Sequence, residues 1–134
     1  MFLDEIFPTP IWGFDLDLDV DSIKYWCYSC MKENPGRVIS NVGGWQSEDY
    51  REFGNTPLTE LVLYIVRESH NIANDIGIPK GDRWIENLWL NINPKYSYNQ
   101  VHVHPEARLS GVFYVSAPEN SGDICFTRSG GYAL

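Results

Sequence analysis

Two segments in the first half of the chain repeat their apolar residues with the spacing of an α-helix. The members of the first repeat are Ile23, Trp26, Cys27, Cys30 and Met31. This spacing predicts an amphipathic helix with Asp21 or Ser22 as its N-cap. A second helix is predicted to start at Thr56-Pro57, with Pro57 in its first turn, and to end at Gly77.

Further segments alternate apolar and polar residues, or collect β-formers between turn signals, and these predict strands. They cover residues 9–20, 37–40, 84–93, 109–115 and 123–127. The predicted helices precede most of the strands, which indicates an α+β, mainly β fold with helices packed on one side of an antiparallel sheet or barrel. The 134 residues contain no linker, so we expect residues 1–134 to form a single domain.

The segment after the 84–93 alternation carries two of the three histidines of the chain. Successive side chains of a strand point to opposite faces, so His102 and His104 would share one face, with Val101 and Val103 on the other. Two imidazoles that converge in this way predict a metal site. The alternative is that both histidines only line a hydrogen-bonded strand face. The 84–93 alternation places Asn91 on a polar face that would line a cavity.

Composition and charge restrict the class of protein. The net charge of −8 opposes attraction to phosphate backbones and anionic membrane surfaces, so we expect neither a nucleic acid nor a membrane as partner. No segment has the length of a transmembrane helix, and no basic start precedes an apolar run of signal-peptide length. With an odd count of three cysteines, these features predict a cytoplasmic protein.

Two of the cysteines lie in a Trp26-Cys27-Tyr28-Ser29-Cys30 segment that matches a Trp-Cys-x-x-Cys redox signature. That chemistry requires a thiolate of low pKa at a helix N-terminus. Both cysteines fall in the middle of the predicted helix, on its apolar face. Core burial is therefore the favoured interpretation.

Four ordered motifs resemble a 2-oxoglutarate/Fe(II)-dependent oxygenase family found in marine bacteria and their phages. They are residues 7–12 (FPTPIW), 40–47 (SNVGGWQS), 99–105 (NQVHVHP) and 109–115 (LSGVFYV). The resemblance implies a double-stranded β-helix, or jelly roll, that binds Fe(II) and 2-oxoglutarate in its open end. It also implies His102 and His104 as metal ligands, with His104 where the wider superfamily has a carboxylate. Asn99, by its family position, and Asn91 are the predicted polar groups of the cofactor cavity.

The chain departs from the family pattern after the Gly122-Asp123-Ile124-Cys125-Phe126 segment. Family members continue into strands that carry a distal histidine and a basic residue for 2-oxoglutarate, whereas no histidine follows His104 here. We therefore expect a C-terminally truncated form that lacks the closing strands. Arg128 is a weak substitute for the basic residue, because its position does not match.

Two classes of function follow from these observations. The first is an Fe(II)/2-oxoglutarate-dependent dioxygenase, a hydroxylase of unknown primary substrate, whose third ligand is a carboxylate, solvent or a group of a partner chain. The second is a non-catalytic truncated relic or a cupin-like metal-binding and oligomerising module. Missing closing strands would expose sheet edges, so we expect a homodimer or a strand-swapped oligomer.

Overall fold

The computed structural model of the chain describes residues 9–79 and 85–127. Its elements are, in order, α1 (Val20–Glu33), β1 (Asn41–Val42), β2 (Trp45–Gln46), α2 (Thr59–Asp75), β3 (Asn91–Ile92) and β4 (Tyr98–Asn99). The protein is thus of mixed α+β class, as its sequence pattern predicts, but the mainly β part of the prediction is wrong for the described residues, whose two helices have 14 and 17 residues while each strand has two. Neither helix in the described part of the chain is long and apolar enough to cross a membrane.

Helix α1 begins two residues earlier than its apolar spacing predicts. Asp19 is the N-cap, in place of Asp21 or Ser22. Its carboxylate accepts hydrogen bonds from the backbone N–H of Ser22, at 3.0 Å, and from the Ser22 hydroxyl, at 2.6 Å. These bonds stabilise the charged carboxylate and hold the pKa of Asp19 below its ordinary value. The predicted N-cap residues therefore both lie inside the first turn of the helix.

Helix α2 begins at Thr59. Pro57 therefore precedes the helix, whereas the sequence predicts that it lies in the first turn. The hydroxyl of Thr56 accepts a hydrogen bond from the backbone N–H of Leu58 at 3.2 Å, which closes a turn before the helix. The predicted end is confirmed. Gly77 adopts the left-handed conformation with φ of 70°, which favours glycine directly after a helix.

The four strands form two separate two-stranded antiparallel sheets, which follow one another along the same two segments as a ribbon and bring the two halves of the chain together. Strand β1 pairs with β4, with Asn41 opposite Asn99, and β2 pairs with β3, with Gln46 opposite Asn91. The backbones of residues 47–50 and 88–90 continue this pairing through three hydrogen bonds of 2.7 to 3.2 Å. Residues 41–50 and 88–99 thus form the ribbon, and the loop at 93–97 is its main irregularity.

A buried amide holds the tight turn between β1 and β2. The side chain of Asn41 is 5 % exposed; it accepts from the backbone N–H of Ile39 at 2.9 Å and donates to the carbonyls of Arg37, at 3.2 Å, and Gly44, at 2.9 Å. Gly44 packs closely against the second segment, since a Cβ at this position would lie 3.1 Å from the carbonyl oxygen of Ile92 and would displace the Asn93 side chain. The 40–47 motif therefore builds the frame of the ribbon.

The two helices and the ribbon share one apolar core. Its buried members are Ile23, Cys27, Leu58, Leu61, Val62 and Leu90. The predicted alternation is confirmed over residues 88–92, because Leu88, Leu90 and Ile92 pack inward while Asn91 is exposed. It fails before that range, since Ile85 also packs against the core. Trp84 lies outside the described residues.

Several predicted strands do not form in the described part of the chain. Residues 9–19, 109–115 and 123–127 have no strand structure, and residues 37–40 contribute only an isolated bridge between Arg37 and Gln46. The physical reason is that a strand requires a partner for its backbone N–H and C=O groups, and none of the described residues pairs with these segments. The sequence pattern correctly marks their apolar residues, of which Leu16, Leu18, Phe113 and Val115 pack against the core.

Replacement of Asn41 with alanine should lower the free energy of unfolding by about 2 to 3 kcal/mol, because a buried amide loses three part-buried hydrogen bonds to the backbone. Urea denaturation followed by tryptophan fluorescence measures the change. Asn74→Ala is the matched control, since Asn74 is an exposed residue of α2, and its effect should stay below about 0.5 kcal/mol. Equal stability of the two variants would contradict the role of Asn41.

Candidate metal centre

The ribbon determines where the histidine segment begins. Directly after β4, the backbone N–H of Gln100 donates to the carbonyl of Ser40 at 2.7 Å, which extends the pairing of β1 with β4 by one bond. The chain then leaves the ribbon, so the strand predicted for the histidine segment does not form at residues 101–104. His102 and His104 follow the last ribbon contact by two and four residues.

The structure nevertheless brings the two imidazoles together. The Nε2 atoms of His102 and His104 are 3.0 Å apart. The ring centroids are separated by 5.0 Å, and the ring planes are inclined by 30°. Val101 and Val103 are exposed on the remaining surface of this segment. The two ring nitrogens that face each other are therefore available to one shared ligand.

The opposite nitrogen of each ring is held by an oxygen. Nδ1 of His102 lies 2.7 Å from the carbonyl oxygen of Gln100, and Nδ1 of His104 lies 2.5 Å from the hydroxyl oxygen of Ser110. Since a carbonyl only accepts, His102 must carry its proton on Nδ1, which leaves a lone pair on Nε2 when the ring is neutral. Outer contacts of this kind orient the histidine ligands of metal sites.

A tryptophan packs on one side of the pair. The ring of Trp89 meets that of His104 edge-on at a centroid distance of 5.3 Å. Burial, followed by the neighbouring charge of His102, lowers the pKa of His104 from its ordinary value. Both causes favour the neutral imidazole, which is the form that binds a metal ion.

The two asparagines predicted to line the cofactor cavity lie on the same ribbon. Asn91 is exposed and pairs with Gln46, and Asn99 accepts a hydrogen bond from Nδ2 of Asn93 at 3.1 Å. Trp89, Asn91 and Asn93 are every second residue of one segment and form a row along it. Trp89 contacts His104 at one end of this row, and Asn93 contacts Asn99 at the other. No contact joins either predicted asparagine directly to the histidines among the described residues.

Trp45 and Gln46 of the 40–47 motif pack into the fold. Nε1 of Trp45 donates to the carbonyl of Asn34 at 3.0 Å, which ties β2 to the end of α1. Gln46 is 3 % exposed. Both residues are therefore part of the frame of the ribbon.

The Nε2 atoms of the histidine pair are close enough, at 3.0 Å, for both imidazoles to bind one metal ion. Within residues 9–79 and 85–127, however, no three His, Cys, Asp or Glu side chains group together to hold a metal ion. The described residues thus provide half of a site.

Residues 87–133 match a family model described as "Putative 2OG-Fe(II) oxygenase". The matched range contains the histidine pair, Trp89, both asparagines and Ser110. No curated protein and no solved structure matches the chain. The match supports the resemblance to this family, which implies Fe(II) and 2-oxoglutarate as cofactors.

Sequence reasoning missed Trp89 and Ser110 as neighbours of the histidines. A signal was present for each: Trp89 shares the predicted face of Asn91, and Ser110 lies in the family-like 109–115 motif. The contact of Ser110 with His104 spans six residues across a turn, and no periodicity reveals such a contact.

The Trp-Cys-x-x-Cys segment is not a redox site in this fold. Cys27 is buried in the middle of α1, and burial raises the pKa of its thiol to about 11. A thiol with this pKa forms very little of the thiolate that redox exchange requires. The prediction that Cys27 packs in the core is supported.

Iodoacetamide should distinguish the cysteines under native conditions. Cys125 is exposed and should be alkylated within minutes at pH 8, while Cys27 should react only after the protein is unfolded in urea. Peptide mass spectrometry measures both sites in one sample, so each serves as the reference for the other. Alkylation of Cys27 at the rate of Cys125 in the native protein would contradict its burial.

Proposed function

We propose that the chain is an Fe(II)/2-oxoglutarate-dependent oxygenase of the hydroxylase type, in which His102 and His104 are two adjacent ligands of the iron. The observation that carries this proposal is the 3.0 Å separation of two Nε2 atoms whose opposite ring nitrogens are each held by an oxygen. The family match over residues 87–133 supports the identity of the metal and of the co-substrate.

The residues of the chain would bind and orient these groups. When bound, iron and 2-oxoglutarate supply the activation of dioxygen. The two imidazoles leave the centre one charge more positive than a histidine and a carboxylate would. We assign the amides of Asn91 and Asn99 to the keto acid, because the row from Trp89 to Asn93 connects the histidine pair with Asn99.

The third ligand comes from outside the described residues, from solvent or from a partner chain. The ribbon of residues 41–50 and 88–99 is, in this proposal, part of the jelly roll that the family resemblance implies. Its antiparallel pairing suits that architecture. The primary substrate is not specified by any described residue.

Anaerobic addition of Fe(II) and then 2-oxoglutarate should produce the visible charge-transfer band of a chelated keto acid. His102→Ala and His104→Ala should each abolish the band, because one imidazole cannot form the two-ligand half-site. His70→Ala is the control, since this third histidine lies in α2 and contacts the carbonyl of Val66 at 2.7 Å. Absorption spectra of all four proteins measure the effect.

A band of equal intensity in the wild type and in both single variants would contradict the assignment of the ligands. Absence of iron binding in the wild type would contradict the proposed activity itself.

A second candidate function is an oligomerising metal-binding module, and it is favoured by the surface of the protein. Several large apolar side chains in the last third of the described residues are exposed to solvent. Six of the exposed apolar residues are Val101, Val103, Val112, Tyr114, Ile124 and Phe126.

The occupant we propose for this apolar surface is a second copy of the chain. Residues 100–115 carry a single acid, Glu106, and a single base, Arg108, so this segment is locally neutral although the chain has a net charge of −8. Its backbone also lacks strand partners among the described residues. Antiparallel pairing of two copies would satisfy both the backbone groups and the apolar side chains.

Analytical ultracentrifugation should show a dimer of the wild type, and a monomer when Val101 and Val103 are both changed to lysine. Val38→Lys is the matched control, because Val38 is 82 % exposed and lies outside the proposed surface. It should leave the dimer intact. A wild-type monomer, or a dimer that persists in the Val101→Lys/Val103→Lys variant, would contradict the proposed surface.

A further inference from the structure

A groove lies between residues 15–18 and the first half of helix α2, and none of its lining residues belongs to the candidate metal centre. Residues 60, 63, 64 and 67 form its helical side, and we call it the α2 groove. Its volume is about 490 Å³. Ligand-binding pockets typically have volumes of about 300 to 1,000 Å³, so the groove is large enough to hold side chains of a binding partner.

Apolar side chains contribute much of the lining of the α2 groove. Leu16 and Leu18 reach it from the segment before α1 and also pack against the core. The ring of Tyr64 is held edge-on by Phe14 at a centroid distance of 6.0 Å. Leu63 is 66 % exposed, which is unusual for a leucine in a concave surface. Exposed apolar surface that is surrounded by polar residues is typical of an interaction site.

The polar residues of the α2 groove are mainly acidic. Asp15, Asp17 and Glu60 all line it and are exposed. None of the ion pairs among the described residues includes any of these three acids. The lining contains one base, Arg67, but its Nε lies 2.8 Å from a carboxylate oxygen of Glu68, outside the groove. The groove therefore carries uncompensated negative charge next to apolar surface.

We propose that the α2 groove binds a basic amphipathic segment of a partner protein, whose apolar side chains cover Leu63 and whose lysine or arginine side chains pair with the three acids. The charge of the groove is complementary to such a segment, and the net charge of −8 would attract a basic partner at long range. A second copy of this acidic chain does not suit the groove, because like charges would repel. This inference does not depend on the proposed function of the histidine pair.

The first experiment measures the binding of designed, fluorescein-labelled peptides by fluorescence anisotropy. The basic amphipathic peptide KLLKKLLKLLKK should bind the wild type, and its affinity should fall when NaCl is raised, because salt screens exposed charges. The peptide KSSKKSSKSSKK keeps the charge without the apolar side chains, and ELLEELLELLEE reverses the charge. Each should bind at least about tenfold more weakly. Equal affinity of the three peptides, or no binding of the first at about 1 mM, would overturn the inference.

The second experiment tests the acids of the groove. Asp15→Asn/Asp17→Asn should raise the dissociation constant of KLLKKLLKLLKK by about 5- to 10-fold, because two exposed charge pairs are lost. Asp75→Asn/Asp123→Asn is the matched control, since it removes the same charge from two exposed acids that do not line the groove. The control should stay within about twofold of the wild type. An equal change in both double variants would show that only net charge attracts the peptide, and would overturn the inference.

The third experiment tests the apolar surface and the location of the peptide. Leu63→Gln should weaken binding by about tenfold, and the fold should persist because Leu63 is exposed and glutamine is a good helix former. Val38→Gln is the control, because Val38 is 82 % exposed and lies outside the groove. Amide NMR shifts on peptide addition should be largest for residues 15–18 and 60–67. Unchanged affinity in Leu63→Gln, or shifts confined to residues 101–126, would overturn the inference.

Discussion

The antiparallel pairing of residues 41–50 with residues 88–99 is the constraint on which the rest of the structure depends. These segments are separated by helix α2, so their pairing closes a loop of about forty residues at an entropic cost. The buried amide of Asn41 helps to offset this cost, because it fixes the turn between β1 and β2 in the conformation that the second segment can meet. Leu90 and Ile92 then reach the apolar core between the helices.

The last backbone hydrogen bond of this pairing determines where the candidate site begins. The contact of Gln100 with Ser40 fixes the start of the histidine segment, and the carbonyl of the same Gln100 orients His102. His104 is oriented separately, by Ser110 and Trp89. The pair is thus held by its immediate neighbours and not by deep burial, which leaves one side of the site open to a co-substrate, to further ligands or to a partner chain.

Local features of the fold were predictable from the sequence, and its long-range features were not. The apolar spacing of α1 and α2 and the alternation at 88–92 depend only on nearby residues, and the structure confirms them. The start of α1 was misplaced because Asp19, Asp21 and Ser22 are all competent caps, and only the hydrogen bonds of Asp19 distinguish them. The strands predicted at 109–115 and 123–127 fail because a strand exists only with a partner, which is information that the segment itself does not contain.

The same distinction applies to the site. The two histidines are adjacent although their segment is not a strand, and the contacts of His104 with Trp89 and Ser110 depend on turns and on tertiary packing. The register that places Asn41 opposite Asn99 is likewise invisible in either segment alone. The family-like motifs at 40–47 and 109–115 indicate that these residues matter, but only the structure shows that the first builds the frame and the second supports a histidine.

The most direct test of the histidine pair as one metal centre is X-ray absorption spectroscopy of the protein loaded with one equivalent of Fe(II). Multiple scattering from imidazole rings counts the histidines bound to the metal. The proposed geometry, with Nε2 atoms 3.0 Å apart, predicts two imidazoles in the wild type and a single one in His102→Ala. An imidazole count of zero in the wild type, or a count that does not change in the variant, would contradict the assignment of both residues to the metal.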